Sequence, residues 1–206
     1  MSDGVEKLPI AELDTPAATR LADLVSVLDD LTYCADCCVR LEGILKDGPE
    51  DVLLQRALWI SALVAYARCF ASGVRVGIAP DVYREVDGDP LSAHQAHMDM
   101  RNKHIAHSVN AFEQVKVGVV LAPLSADKRG VEGVARLSMA FQHGSADVVE
   151  QLRLLAQAAG EEVRKRCGAL EVKVLRESRQ MSLVDLYSRA TPRAVVPGAG
   201  AIGSRR

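Results

Sequence analysis

Residues 98–108, M-D-M-R-N-K-H-I-A-H-S, concentrate the side chains in this sequence best suited to chemistry. Arg101, Asn102, His104 and His107 fall within two helical turns, and His94 and His97 precede them. At about 100° per residue His94, His97, Arg101 and His104 share a narrow arc, with His107 roughly 60° beyond His104. Four of the five histidines of the chain thus gather on one side of one helix.

Three readings compete for this cluster. His94-x-x-His97 and His104-x-x-His107 are i, i+3 pairs, and imidazole suits zinc, iron or nickel. Arg101 stands between the pairs on the same face, however, and a fixed cation there opposes a dication. Asp99, the nearby carboxylate, points elsewhere on the helical wheel. The second reading is acid–base chemistry without a metal. A neutral imidazole takes a proton near neutral pH, and a guanidinium holds charge developing on a phosphoryl oxygen. RNA is a suitable target, because its 2′-hydroxyl, deprotonated by a histidine, can attack the adjacent phosphorus and leave a cyclic phosphate. Asn102 could orient a phosphate or fix a histidine tautomer. The third reading is structural, with the histidines paired to Asp29, Asp30 or Asp36 of the first helix; for a basic, histidine-rich face taken alone this is the commoner case.

The elements that must position these groups read as helices. Asp89-Pro90 opens the histidine helix, an N-cap followed by proline at the first helical position. Thr15-Pro16 opens an earlier helix by the same logic, and Leu21, Leu24, Val25, Leu28, Leu31 and Leu41 continue at helical spacing to about Leu45, where Lys46-Asp47-Gly48 closes it. Pro49 is expected to start a second helix with Glu50 and Asp51 in its first turn, favoured by the helix dipole. It would run to about Gly77 with Trp59, Leu63, Tyr66 and Phe70 on a core face. Arg68 and Arg75, seven apart, are expected on one side, as a salt-bridged or solvated edge. Ser145 caps a long helix to about Arg179, with Gly168 as a possible interruption, and residues 183–187 form a short amphipathic piece.

Between the histidine helix and the long one the pattern changes. Val115, Val117 and Val119 alternate, residues 131–141 are similar, and a polar turn separates them, so a β-hairpin is expected at about 112–141. Two strands alone are marginal, and the hairpin is expected to pack on a helix or on a partner subunit. Residues 1–14 read as a flexible arm, 15–188 as one helical domain, and 189–206 as a disordered basic tail. Gly198, Gly200 and Gly203 fit a dinucleotide fingerprint, but no helix can follow them, so that reading fails.

Composition bounds the function. With 206 residues, 49% of them hydrophobic and 4% aromatic, the core must be built mainly from Ala, Val and Leu, which suits close-packed helices. A formal net charge of −2 argues against a generally cationic nucleic-acid binder, though it leaves room for a local basic patch. The five cysteines are odd in number and read as reduced, buried core thiols; Cys34, Cys37 and Cys38 share a helix face without a second ligand pair for zinc. The N-terminus shows no secretion signal, and the most apolar run, residues 57–67, is too short to span a bilayer. A cytoplasmic location, no cofactor and no membrane partner are the expectations.

The segment R-N-K-H-I-A-H-S (101–108), at the end of a helix in an otherwise helical chain, resembles the signature of the HEPN superfamily. That signature is an arginine, usually followed by a polar residue, then a histidine after four to six positions. The R-[N/D]-K-x-x-A-H form is particularly similar to the abortive-infection group of toxins, and the resemblance extends to an apolar second helix carrying Tyr66-Ala67-Arg68. It implies a mainly α fold, a HEPN-like bundle of four to five main helices with the β-hairpin as an insertion. It also implies frequent homodimers with Arg–His motifs facing across a cleft, and metal-independent cleavage of RNA in toxin–antitoxin or phage-defence settings. In that frame His107 is the catalytic base or acid, Arg101 stabilises the phosphate, Asn102 supports it, and His104 assists or packs. An antitoxin or defence-system partner is implied as well. Some members of the superfamily are inactive binding or dimerisation modules, which is the alternative function.

Overall fold

The computed structural model describes residues 9–48, 51–71, 73, 75–105, 114–125, 127–139 and 143–191. Two long helices form its frame. Helix α1 spans Pro16–Asp47 and begins where the local signals place it: the Thr15 side chain accepts from the Ala18 amide, and Pro16 needs no amide partner in the first turn. Gly48, at φ 111°, ends it in a backbone conformation that glycine adopts without strain. Helix α4 spans Ala146–Ser178 and packs along α1. Gly168 does not interrupt it, and Ser145 occupies the N-cap position without a side-chain capping bond.

Helix α2, Val52–Phe70, packs on α1. It is shorter at both ends than its sequence pattern suggests. Asp51 is the N-cap, accepting from the Leu54 amide at 2.9 Å, rather than a first-turn residue; Pro49 and Glu50 lie outside the described residues. The C-terminal end is cut by tertiary contacts. The Ile78 amide donates to the Cys69 carbonyl, Arg20 donates to the carbonyls of Val76 and Gly77, and the Val76 amide donates to Asp23. These bonds hold residues 75–78 against α1 and leave no helix there. Arg68 and Arg75 therefore do not share a helix, yet both reach Asp30, at 3.6 and 2.7 Å. The ion-paired edge is present, built from two elements.

At 19 residues α2 is longer than the apolar run within it, and by length and composition it could cross a bilayer. It is a core helix here. Trp59, Ala62, Leu63, Ala65, Tyr66 and Cys69 are buried in the core cluster, with α2 packed on α1 and Phe70 at the margin. Burial of each large apolar side chain contributes about 1.5–3 kcal/mol. Small residues let the helices approach: Gly160 of α4 faces Leu28 of α1, whose Cδ1 would lie 3.7 Å from an added Cβ. All five cysteines are free and buried. Burial pushes the Cys69 thiol up to about 12, so it stays protonated and serves as packing.

A short 3-10 turn at Pro80–Tyr83 leads to α3, Pro90–Met100. A two-stranded antiparallel ribbon follows, β2 (Gln114–Leu121) with β3 (Val131–Met139), paired from Gln114↔Met139 to Leu121↔Val131 with a bulge beside Val120 and Leu121. The short piece after α4 is a helix, α5 (Leu183–Arg189), which buries no residue. Both chain ends are more regular than their composition suggests. Ile10–Ala11 (β1) pairs antiparallel with Ala190–Thr191 (β4), so part of the expected arm and the start of the expected tail are tied together. The rest of the tail, including the three glycines of the fingerprint, lies outside the described residues. The chain is mainly α with a β-hairpin, as its periodicities indicate.

Candidate functional site

Asp89 caps α3 by accepting from the Ser92 amide at 3.1 Å, and Pro90 takes the first helical position. The helix then sends His94 and His97 inward, and both are buried. Neither meets an aspartate of α1. His94 Nδ1 lies 2.8 Å from the Tyr66 hydroxyl, and Tyr66 lies 2.7 Å from the Tyr83 hydroxyl, which makes a three-residue relay through the core. Phe70 packs on His94 with ring centroids 4.4 Å apart. The expected partner Asp30 is instead occupied by Arg75 and Arg68.

His97 stands deeper, 1% exposed, edge-on to Trp59 at 6.2 Å and to Tyr66 at 6.3 Å. Gln151 approaches it from α4, close enough to raise its proton affinity, but neither ring nitrogen attains hydrogen-bond geometry. Burial dominates and lowers its pKa to about 4; His94 is lowered by burial in the same direction. Both rings are neutral near pH 7. These two histidines anchor α3 and belong to the core, together with Met98 and Met100 at its edge.

Beyond Met100 the α-helical spacing no longer applies. Residues Arg101–Ile105 form a single π turn, packed on α2, with the wider i→i+5 repeat. The narrow arc drawn from His94 to His104 at 100° per residue is broken at Arg101. Arg101 is half-buried, and its guanidinium donates to Asn102 Oδ1 at 3.0 Å; Asn102 itself is exposed. The amide of Arg101 still closes α3 by donating to the carbonyls of His97 and Met98. On the outer side Lys103 pairs with Asp99 at 2.9 Å, and Gln95 donates to the same carboxylate. Lys103 foremost, and Gln95 with it, hold the Asp99 carboxyl below the usual range. The backbone of His104 lies in the π turn; its side chain and the whole of His107 lie outside the described residues.

Of the four residues singled out for catalysis, Arg101 and Asn102 thus stand together at the end of α3. They form a half-exposed cation with a neighbouring amide, able to hold an anionic oxygen. Among the described residues no three of His, Cys, Asp and Glu converge as a metal-binding set. The groups that the motif does not announce are Tyr66 and Tyr83. Tyr66 reads as one more large residue on a core face, and Tyr83, in a short turn, carries no periodic signal. Comparisons with protein-family models, with curated proteins and with solved structures returned no match.

Proposed function

We propose that this chain is a metal-independent endoribonuclease of the HEPN type, acting in a toxin–antitoxin or phage-defence setting. One observation supports this reading above the others. The arginine of the motif opens a π turn, half-exposed with Asn102 beside it, on a helix anchored by two buried histidines. Single π turns in otherwise regular helices are frequent at functional sites.

The chemistry assigned to the site is transesterification. His107 takes the proton of a ribose 2′-hydroxyl, and the oxygen attacks the adjacent phosphorus. The bond to the 5′-oxygen breaks, and that oxygen gains a proton, leaving a 2′,3′-cyclic phosphate and a 5′-hydroxyl. Arg101 holds the charge that builds on the non-bridging oxygens, a role that planar guanidinium fills through paired N–H groups. Asn102 steadies Arg101, and His104 assists or packs. RNA is the substrate, a second copy supplies a facing motif, and an antitoxin or defence-system partner regulates it; no cofactor enters.

The second reading is a non-catalytic HEPN-like interaction module. The formal charge of −2 and an exposed apolar ribbon favour it. Incubation of the purified chain with single-stranded RNA in EDTA separates the two. Cyclic-phosphate ends that disappear in Arg101→Ala and His107→Ala support the nuclease. Cleavage unchanged in both variants removes these residues from the mechanism, and uncleaved RNA leaves the interaction module ahead.

A further inference from the structure

Among the described residues four buried side-chain polar atoms have no hydrogen-bond partner: Gln55 Nε2, Trp59 Nε1 and both ring nitrogens of His97. The three residues are 1–2% exposed. Folded chains carry few such groups, because each loses water without gaining a partner. Apolar side chains of the same shape would fill this region at less cost, so packing alone does not explain them.

The three residues stand against the candidate site. Gln55 and Trp59 are one turn apart on the buried face of α2. The His97 ring meets Trp59 edge-on, with centroids 6.2 Å apart. Helix α3 runs along α2 in the opposite direction, since His94 meets Phe70 and Tyr66 while His97 meets Tyr66 and Trp59. The π turn that continues α3 and packs on α2 therefore heads toward Gln55. It begins at Arg101, whose amide donates to the His97 carbonyl. The orphaned groups thus lie beside the turn that carries Arg101 and Asn102.

Their chemistry fits one class of ligand. The Gln55 amide and the Trp59 indole offer N–H donors, which call for acceptors. The rings of Trp59 and His97 offer faces on which a flat heterocycle stacks. A phosphate uses the donors and not the rings; an unstacked nucleobase with a carbonyl uses both. We infer that Gln55, Trp59 and His97 form a nucleobase pocket covered by the π turn. The base enters when the turn yields, its carbonyl accepts from Gln55 and Trp59, and its ring lies against Trp59 and His97. The inference rests on the proposed RNA reading and gives these residues specificity, leaving the cleavage chemistry to Arg101 and His107.

Binding of a 2′-O-methylated oligouridylate, which has no free 2′-hydroxyl to attack with, tests the pocket apart from cleavage. Trp59 is the single tryptophan of the chain, so its fluorescence reports the site. In the wild type, saturating oligouridylate is expected to change that emission. The matching oligoadenylate, whose base lacks a carbonyl, should bind about tenfold more weakly. Gln55→Leu should weaken oligouridylate binding about tenfold, read by anisotropy of a labelled strand, and erase the preference. Its thermal midpoint should equal or exceed that of the wild type, because an orphaned amide is gone. Trp59→Phe, which keeps a ring and loses the N–H, should weaken binding in the same direction. Trp59 emission unchanged at saturation overturns the inference, as does a wild type that binds neither strand. So does Gln55→Leu binding at wild-type strength, or losing binding only together with stability. Cleavage in EDTA is decided separately: if Arg101→Ala abolishes it while Gln55→Leu binds normally, the pocket alone is wrong. If RNA stays uncleaved while Trp59 responds and Gln55→Leu weakens binding, the pocket stands and the nuclease reading falls.

Discussion

The Tyr66 hydroxyl lies 2.8 Å from Nδ1 of His94, joining the middle of α2 to the middle of α3 inside the core. The Tyr83 and Tyr66 hydroxyls and His94 Nδ1 share two hydrogen bonds, so the relay satisfies three buried polar groups in one line. The relay ties α2 to α3 and to the 3-10 turn inside the core.

Removing the central hydroxyl tests this directly. Tyr66→Phe leaves His94 and Tyr83 unsatisfied at once and is expected to lower stability by about 2–4 kcal/mol. Tyr83→Phe removes only the terminal hydroxyl and should cost about half as much. Urea unfolding of both variants measures the difference. Equal losses would mean that Tyr66 acts through packing alone.

Acid should destabilise the fold through His97. Its folded pKa of about 4 lies below the ordinary value of 6.5, so the unfolded chain binds the proton first. The contribution of His97 is fully present above pH 6.5 and is lost as pH falls toward 4, a total of about 3 kcal/mol at 1.36 kcal/mol per unit. His94 is shifted the same way and adds to the slope. His97→Phe, which keeps a ring against Trp59, should flatten the stability profile between pH 6.5 and 4. A profile as steep as that of the wild type would remove His97 as the cause.

The segment after α2 should loosen when Asp30 is removed. Asp30 holds Arg75 at 2.7 Å, with both side chains largely buried, while Arg75 also donates to Ser26 and to the Arg68 carbonyl. Asp30→Ala leaves that guanidinium without its counter-charge and is expected to destabilise by about 1–3 kcal/mol. Amide exchange at Val76 and Ile78 should accelerate more than exchange in the middle of α1. Uniform acceleration would place the effect in the helix instead.

Two glycines should respond in opposite directions to alanine. A Cβ at Gly77 would lie 2.6 Å from the Cys69 carbonyl oxygen and 2.8 Å from that of Ala71, backbone atoms that cannot rotate away. Gly77→Ala is expected to cost at least about 2 kcal/mol. Gly168, exposed within α4, has nothing within 4 Å, and Gly168→Ala should stabilise by roughly 0.5–1 kcal/mol through helix propensity. Thermal melts of the pair provide the check.

At the candidate site, Arg101→Lys retains the charge and loses the planar fork that meets Asn102 and, in the proposed reaction, would meet a phosphate. RNA cleavage in EDTA should fall roughly 10²–10³-fold, as for the loss of one oxyanion donor. Asn102→Ala should give a smaller loss. Full activity in Arg101→Lys would mean that a point charge suffices there.

The sequence alone determined what depends on a few neighbouring residues. Caps at Thr15 and Asp89, the start of α4 after Ser145, the helical spacing of apolar residues in α1 and α4, and the valine alternation of β2 act within one or two turns, and each stands where its pattern puts it. The motif likewise placed Arg101 and Asn102 side by side at the end of a helix. Only the tertiary structure decided what depends on distant residues. Residues 75–78 leave the helical path because Arg20 and Asp23, more than fifty positions earlier, take their polar groups. His94 turned from a possible ligand into a core residue because Tyr66, twenty-eight positions away, meets its ring. A helical wheel assumes one repeat throughout, so the face it drew from His94 to His104 ended where a π turn packs on α2. Local propensity is written in adjacent residues; burial and long-range hydrogen bonds are not, and they chose which histidines became core.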